Sequence, residues 1–81
     1  MDNKIFKLGL SVEAVSLYLI LFDLDFSKVP LERENIESRW NAASKLLDKA
    51  LEELEMNNVV SRKGEAILIN PSAAWTETGT A

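Results

Sequence analysis

Apolar residues recur along this chain at more than one period, and each change of period marks an element. Val12, Val15, Leu17, Tyr18, Leu19, Leu21 and Phe22 nearly encircle a helix predicted from about Val12 to about Asp23, leaving Glu13 and Ser16 as a thin polar stripe. A helix that is apolar on almost every side is expected to be central and covered from more than one direction. Ser11 suits its N-cap, because a serine hydroxyl accepts a hydrogen bond from an orphan amide of the first turn, and Glu13 suits the positive end of the helix dipole. Residues 1–10 precede it as an arm whose Ile5, Phe6, Leu8 and Leu10 are too apolar for a loose tail.

Pro30 disfavours helix at Val29 and suits a helix start, and from Leu31 to Asn58 neither Gly nor Pro interrupts the pattern. Two readings fit this stretch. In the first, Ile36 and Trp40 are the stripe of a helix from about Leu31 to Trp40. Asn41 to Ala43 then turn, and a second amphipathic helix follows with Ala43, Leu46, Leu47, Ala50, Leu51 and Leu54 on one face and Asn57-Asn58 as its stop. In the second, a single long helix carries Ile36, Trp40, Ala43, Leu47, Ala50 and Leu54 at spacings 4, 3, 4, 3, 4, a heptad seam. Alanines at two seam positions and the absence of a regular flanking charge pattern weigh against the seam.

Val59 to Ser61 and Ala66 to Asn70 read as the strands of a β-hairpin, with Arg62-Lys63-Gly64-Glu65 as the tip and Gly64 supplying the positive φ of a tight turn. A lone hairpin is barely stable and needs a compact helical body, which favours the two-helix reading. Pro71 ends the second strand. The tail 71–81 is small and polar apart from Trp75, which is placed to fold back onto the body, with fraying beyond it.

At 81 residues the chain is one domain, burying only roughly 60–65% of its unfolded surface, so its stability margin is thin. Cysteine and histidine are both absent, which removes thiolate zinc sites, the cysteine nucleophile and the usual general base near neutral pH. The expectation is a protein that is not an enzyme and has no cofactor or metal. Glu32, Glu34, Glu37, Glu52, Glu53 and Glu55 are interleaved with Arg33, Arg39 and Lys49, and helix solubility accounts for them. The apolar run Ala14 to Phe22 superficially resembles a signal peptide after Lys4 and Lys7. However, Glu13 and Ser16 break it, no small-residue cleavage site follows, and it falls short of the ~20 residues that span a bilayer. A cytoplasmic protein with no membrane partner is expected.

The order helix, loop, helix, turn, helix, hairpin over residues 10–70 resembles the winged helix-turn-helix domain of prokaryotic transcription regulators. Ile36, Trp40 and Asn41 stand where that family ends its second helix. "LDKALEELEMNNVV", Leu47 to Val60, is similar to the close of its third, with Asn58 where the family prefers glycine. The resemblance implies an α+β, mainly helical fold of three helices and a two-stranded wing, with the third helix as recognition helix. Its exposed N-terminal residues Asn41, Ser44, Lys45 and Lys49 would then meet the major groove of double-stranded DNA, with Arg62 and Lys63 on the wing meeting the backbone or minor groove.

Charge tests that implication, because the chain carries a formal −4 and an acidic protein binds polyphosphate only if its charges are segregated. Arg39, Lys45, Lys49, Arg62 and Lys63 stand against Asp48 and Glu65 on the implied DNA face, so the remainder is strongly acidic. Two functions stay open: a small DNA-binding regulator, and a winged-helix module that binds a protein partner and for which acidity is no handicap. A homodimer is expected under the first, with Ile5 to Leu10 of the arm as its contact.

Overall fold

Ser11 starts the first helix as its hydroxyl suggests, with Oγ accepting the Ala14 amide at 3.2 Å. The computed structural model describes residues 3–64 and 66–76; Glu65 at the hairpin tip and residues 77–81 of the tail lie outside the described residues, as do Met1 and Asp2. Helix α1 spans Val12–Phe26, one turn beyond the predicted end. Its stop is set by Lys28, which takes the left-handed φ of 61° while its amide donates to the Asp25 carbonyl at 3.0 Å and that of Val29 to the Leu24 carbonyl at 2.8 Å. This is a Schellman closure made without glycine.

Helix α2 is a short Arg33–Glu37 and helix α3 spans Ser44–Met56, separated by non-helical residues 38–43 in which Ala43 is extended at φ −62° and ψ 148°. The single long helix is therefore excluded. Helix α2 is shorter than the predicted 31–40 because Leu31 and Glu32 are drawn into β pairing. The Leu31 carbonyl accepts from the Ile67 amide at 2.9 Å, and Glu32 forms an antiparallel bridge with Ala66. Tertiary pairing overrides local helix propensity at this point. At its other end, the Trp40 indole N–H donates to the Ala43 carbonyl at 3.1 Å and props the turn into α3.

Asn58 closes α3 in the left-handed region at φ 59°, with the Val59 amide donating to the Leu54 carbonyl at 2.9 Å. Strands β1 (Val60–Lys63) and β2 (Ala66–Ile69) follow as an antiparallel pair in which Val60 faces Ile69 and Lys63 faces Ala66. Gly64 begins the two-residue loop at φ 63°, a conformation costly for a residue with a Cβ. Three helices followed by a two-stranded hairpin is the layout of a winged helix.

One core serves the whole chain. It gathers Leu17, Leu21 and Leu24 of α1, Ile36 of α2, Leu47 and Leu54 of α3, and Val59, Val60 and Ile67 of the hairpin. Both ends of the chain enter it. Ile5 and Leu8, in a stretch with a 3₁₀ turn over Asn3–Lys7, are fully buried, which removes them from the dimer contact expected of the arm. Trp75 folds back as its position suggested: it stacks edge-on against Tyr18 with ring centroids 5.4 Å apart, and its indole N–H donates to the Asn70 carbonyl at 2.9 Å. The Thr76 amide donates to the Asn57 carbonyl and Lys4 Nζ to the Ser72 carbonyl, tying the two ends together. Among the described residues no helix is long and apolar enough to cross a membrane.

Helix α1 is covered by more than one segment, α3 on one part and Trp75 against Tyr18 on another, but not on every apolar side. Its buried residues lie on one side, while Val12 and Phe26 are each 79% exposed and Leu19 is 39% exposed. Among the described residues no element lies over that face.

If the arm belongs to the core, Ile5→Ala is expected to cost about 3 kcal/mol, the range of a buried Ile-to-Ala truncation. Urea unfolding at fixed dilute concentration measures it, and a loss below about 0.5 kcal/mol, typical of surface positions, would place Ile5 outside the core.

Candidate functional site

Helix α3 presents a buried face, an outward stripe and two flanks. Leu47, Ala50, Leu51 and Leu54 are buried against the body. Opposite them, Lys45, Lys49, Glu52 and Met56 recur at spacings 4, 3, 4 and form the outward stripe, with Met56 74% exposed. On the flank turned toward α2 and the hairpin, Asp48 accepts from Arg33 Nη1 at 2.6 Å and Glu55 accepts from Arg62 Nε. On the other flank Glu53 accepts the Ser11 amide at 2.6 Å, bracing the start of α1.

The residues singled out for DNA contact fall into separate groups on this frame. Asn41 lies exposed in the connection before α3, and Ser44 is exposed as its first residue. Lys45 and Lys49 share the outward stripe, and neither has a hydrogen bond or ion pair among the described residues; the same holds for Lys63 at the end of β1. Arg62 is not delivered in this way, because its guanidinium folds onto Glu55. That contact seats the hairpin beside the C-terminal half of α3. Glu55 is ten residues from Lys45, about 15 Å along the helix axis.

The same fate meets every arginine. The chain has three, and Arg33 pairs with Asp48 and with Glu37 at 2.9 Å, Arg39 with Asp23, and Arg62 with Glu55. The Arg33 guanidinium is held above its ordinary range by the Asp48 hydrogen bond first and the Glu37 hydrogen bond second, so it stays charged throughout the working pH range. These pairs are exposed to solvent and each contributes only about 0.2–1 kcal/mol to stability. Their electrostatic consequence is larger. The cations best shaped for bidentate phosphate recognition are already neutralised, and α3 itself carries two lysines against four carboxylates.

Between α2 and the hairpin lies a groove of about 780 Å³, lined by Glu32, Glu34 and Glu37 together with Arg33 and Arg62, and with Leu51 and Ile67 among its apolar lining. Sequence reading treated those glutamates as solvated helix faces. What gathers them is the Glu32 bridge to Ala66, which brings the hairpin against α2 and leaves no local signature. No protein-family model, curated protein or solved structure matches this chain.

Removing the charge of Glu55 with Glu55→Gln frees Arg62 while leaving the side chain's size unchanged. The expected change in unfolding free energy is below about 1 kcal/mol, measured by urea denaturation. A loss of several kcal/mol would mean that the pair is structural rather than a device of surface charge.

Proposed function

We propose that this chain is a winged-helix protein-interaction module whose face between α2, α3 and the hairpin receives a partner bearing basic and apolar side chains. The observation that carries this reading is the pairing of all three arginines with carboxylates, Arg33 with Glu37 and Asp48, Arg62 with Glu55, and Arg39 with Asp23 of α1, which leaves lysines as the unpaired cations near α3 among the described residues. A polyphosphate partner would meet Glu52 beside Lys45 and Lys49 on the outward stripe of α3, while Asp48 and Glu55 offset the arginines that they bind, so the face offers little net positive charge. A basic partner gains from the glutamates rimming the groove, and its apolar side chains gain from the groove's apolar lining.

The second reading, a DNA-binding regulator, draws on one feature: Lys45, Lys49 and Lys63 are exposed and unpaired among the described residues. Three lysines supply few phosphate contacts, and on an acidic chain they give weak binding with a shallow salt slope.

Retention on immobilised duplex DNA separates the two. At ~50 mM salt, where phosphate binding is strong, the wild-type protein is expected to pass through, while the combination of Glu37→Gln, Asp48→Asn and Glu55→Gln, which releases Arg33 and Arg62, is expected to be held. Wild-type retention that weakens in Lys45→Ala, Lys49→Ala and Lys63→Ala, with a flatter salt slope, would overturn the interaction-module reading in favour of DNA.

A further inference from the structure

The exposed face of α1 is not a scatter of apolar residues. Val12, Val15, Leu19, Phe22 and Phe26 follow one another at spacings 3, 4, 3, 4 along the whole helix, the repeat of a helix-packing seam. Val12 and Phe26 at its ends are 79% exposed, Leu19 at its middle is 39% exposed, and Val15 and Phe22 are half-buried. None of these residues belongs to the fully buried set of the core, which takes Ala14, Leu17, Tyr18, Leu21 and Leu24 from the opposite side of the helix. Phe6, Leu46, Met56 and Leu68 are also exposed, but on other elements, whereas this stripe is continuous for about 21 Å along one helix face and calls for a partner.

From this stripe we infer that the chain forms an antiparallel, two-fold homodimer through α1, with the axis passing beside Leu19. The order of side-chain sizes fits this occupant. The N-terminal half of the stripe offers the small Val12 and Val15 and the C-terminal half the large Phe22 and Phe26. A two-fold antiparallel pairing sets small against large at both ends, whereas a parallel pairing stacks Phe26 on Phe26 and leaves the valines apart. A receiving groove stands where that geometry needs it. Beside Val12, a cleft of about 250 Å³ lined by Ser16, Ile20 and Trp40 lies open at the level reached by Phe26 of the second copy.

Asp23, on the flank of the stripe, is already matched by Arg39 of its own copy, so side-chain size rather than charge selects the antiparallel sense. The stripe and its flanks offer on the order of 500 Å² per copy, near the lower bound of specific interfaces, so a weak, concentration-dependent dimer is expected.

Sedimentation velocity over a wide concentration range tests association, and cysteine cross-linking tests its geometry, since the natural chain has no cysteine. The wild-type mass is expected to rise from 9.1 kDa toward twice that value, while Leu19→Lys and Phe26→Asp remain monomeric with unchanged circular dichroism. Under oxidation, Leu19→Cys and a mixture of Val12→Cys with Phe26→Cys are expected to cross-link, and Phe26→Cys alone is not. A wild-type protein that stays monomeric throughout would overturn the dimer. Self-cross-linking of Phe26→Cys would overturn its antiparallel sense. Because the stripe is remote in sequence from α3 and the hairpin, neither result depends on which partner α3 meets.

Discussion

The buried face of α1 packed on the buried face of α3 is the contact from which the rest of the molecule follows. In a chain of 81 residues that pairing exhausts most of the apolar material available for a core, and what it leaves uncovered has to be closed by neighbouring segments. Ile5 and Leu8 close one side, Trp75 closes another by resting on Tyr18, and the hairpin closes the end of α3 through Val59, Val60 and Ile67. No other described element covers α1. The outward side of α1 stays apolar and open, a direct consequence of using one helix as both scaffold and surface.

A second consequence concerns charge. With so little interior, nearly all the ionisable groups sit on the surface within reach of one another, and the arginines settle onto Asp23, Asp48, Glu37 and Glu55 instead of standing free. Each pair adds little to stability, but together they decide what the surface offers. The face that the layout would turn toward DNA carries lysines diluted by carboxylates, and the groove beside it sets Glu32, Glu34 and Glu37 with Arg33 and Arg62 around apolar side chains. These features suit a protein partner better than a polyphosphate.

Much of the fold was legible because its signals are local. Ser11 named the start of α1, the apolar spacing from Leu47 to Leu54 named the buried face of α3, Asn58 named its left-handed stop, and Gly64 named the hairpin loop. What sequence reading missed depends on distant residues meeting. The pairing of Leu31 and Glu32 with the second strand shortens α2, and the ion pairs Arg33 to Asp48 and Arg39 to Asp23 join residues on different elements. For that reason Arg62 looked available for DNA when its charge is matched by Glu55. The α1 stripe was legible in its spacing, yet a nearly encircled helix reads as buried until the number of elements able to cover it is known.

The claim that one small core leaves α1's outer face as an association surface is tested most directly by NMR on the unmodified protein. Amide resonances are followed as a concentrated sample is diluted. Shifts confined to Val12, Val15, Leu19, Phe22 and Phe26 and their neighbours, including Trp40 beside the receiving groove, are the expected result. Spectra that do not change on dilution, or changes centred on α3 and the hairpin instead, would contradict it.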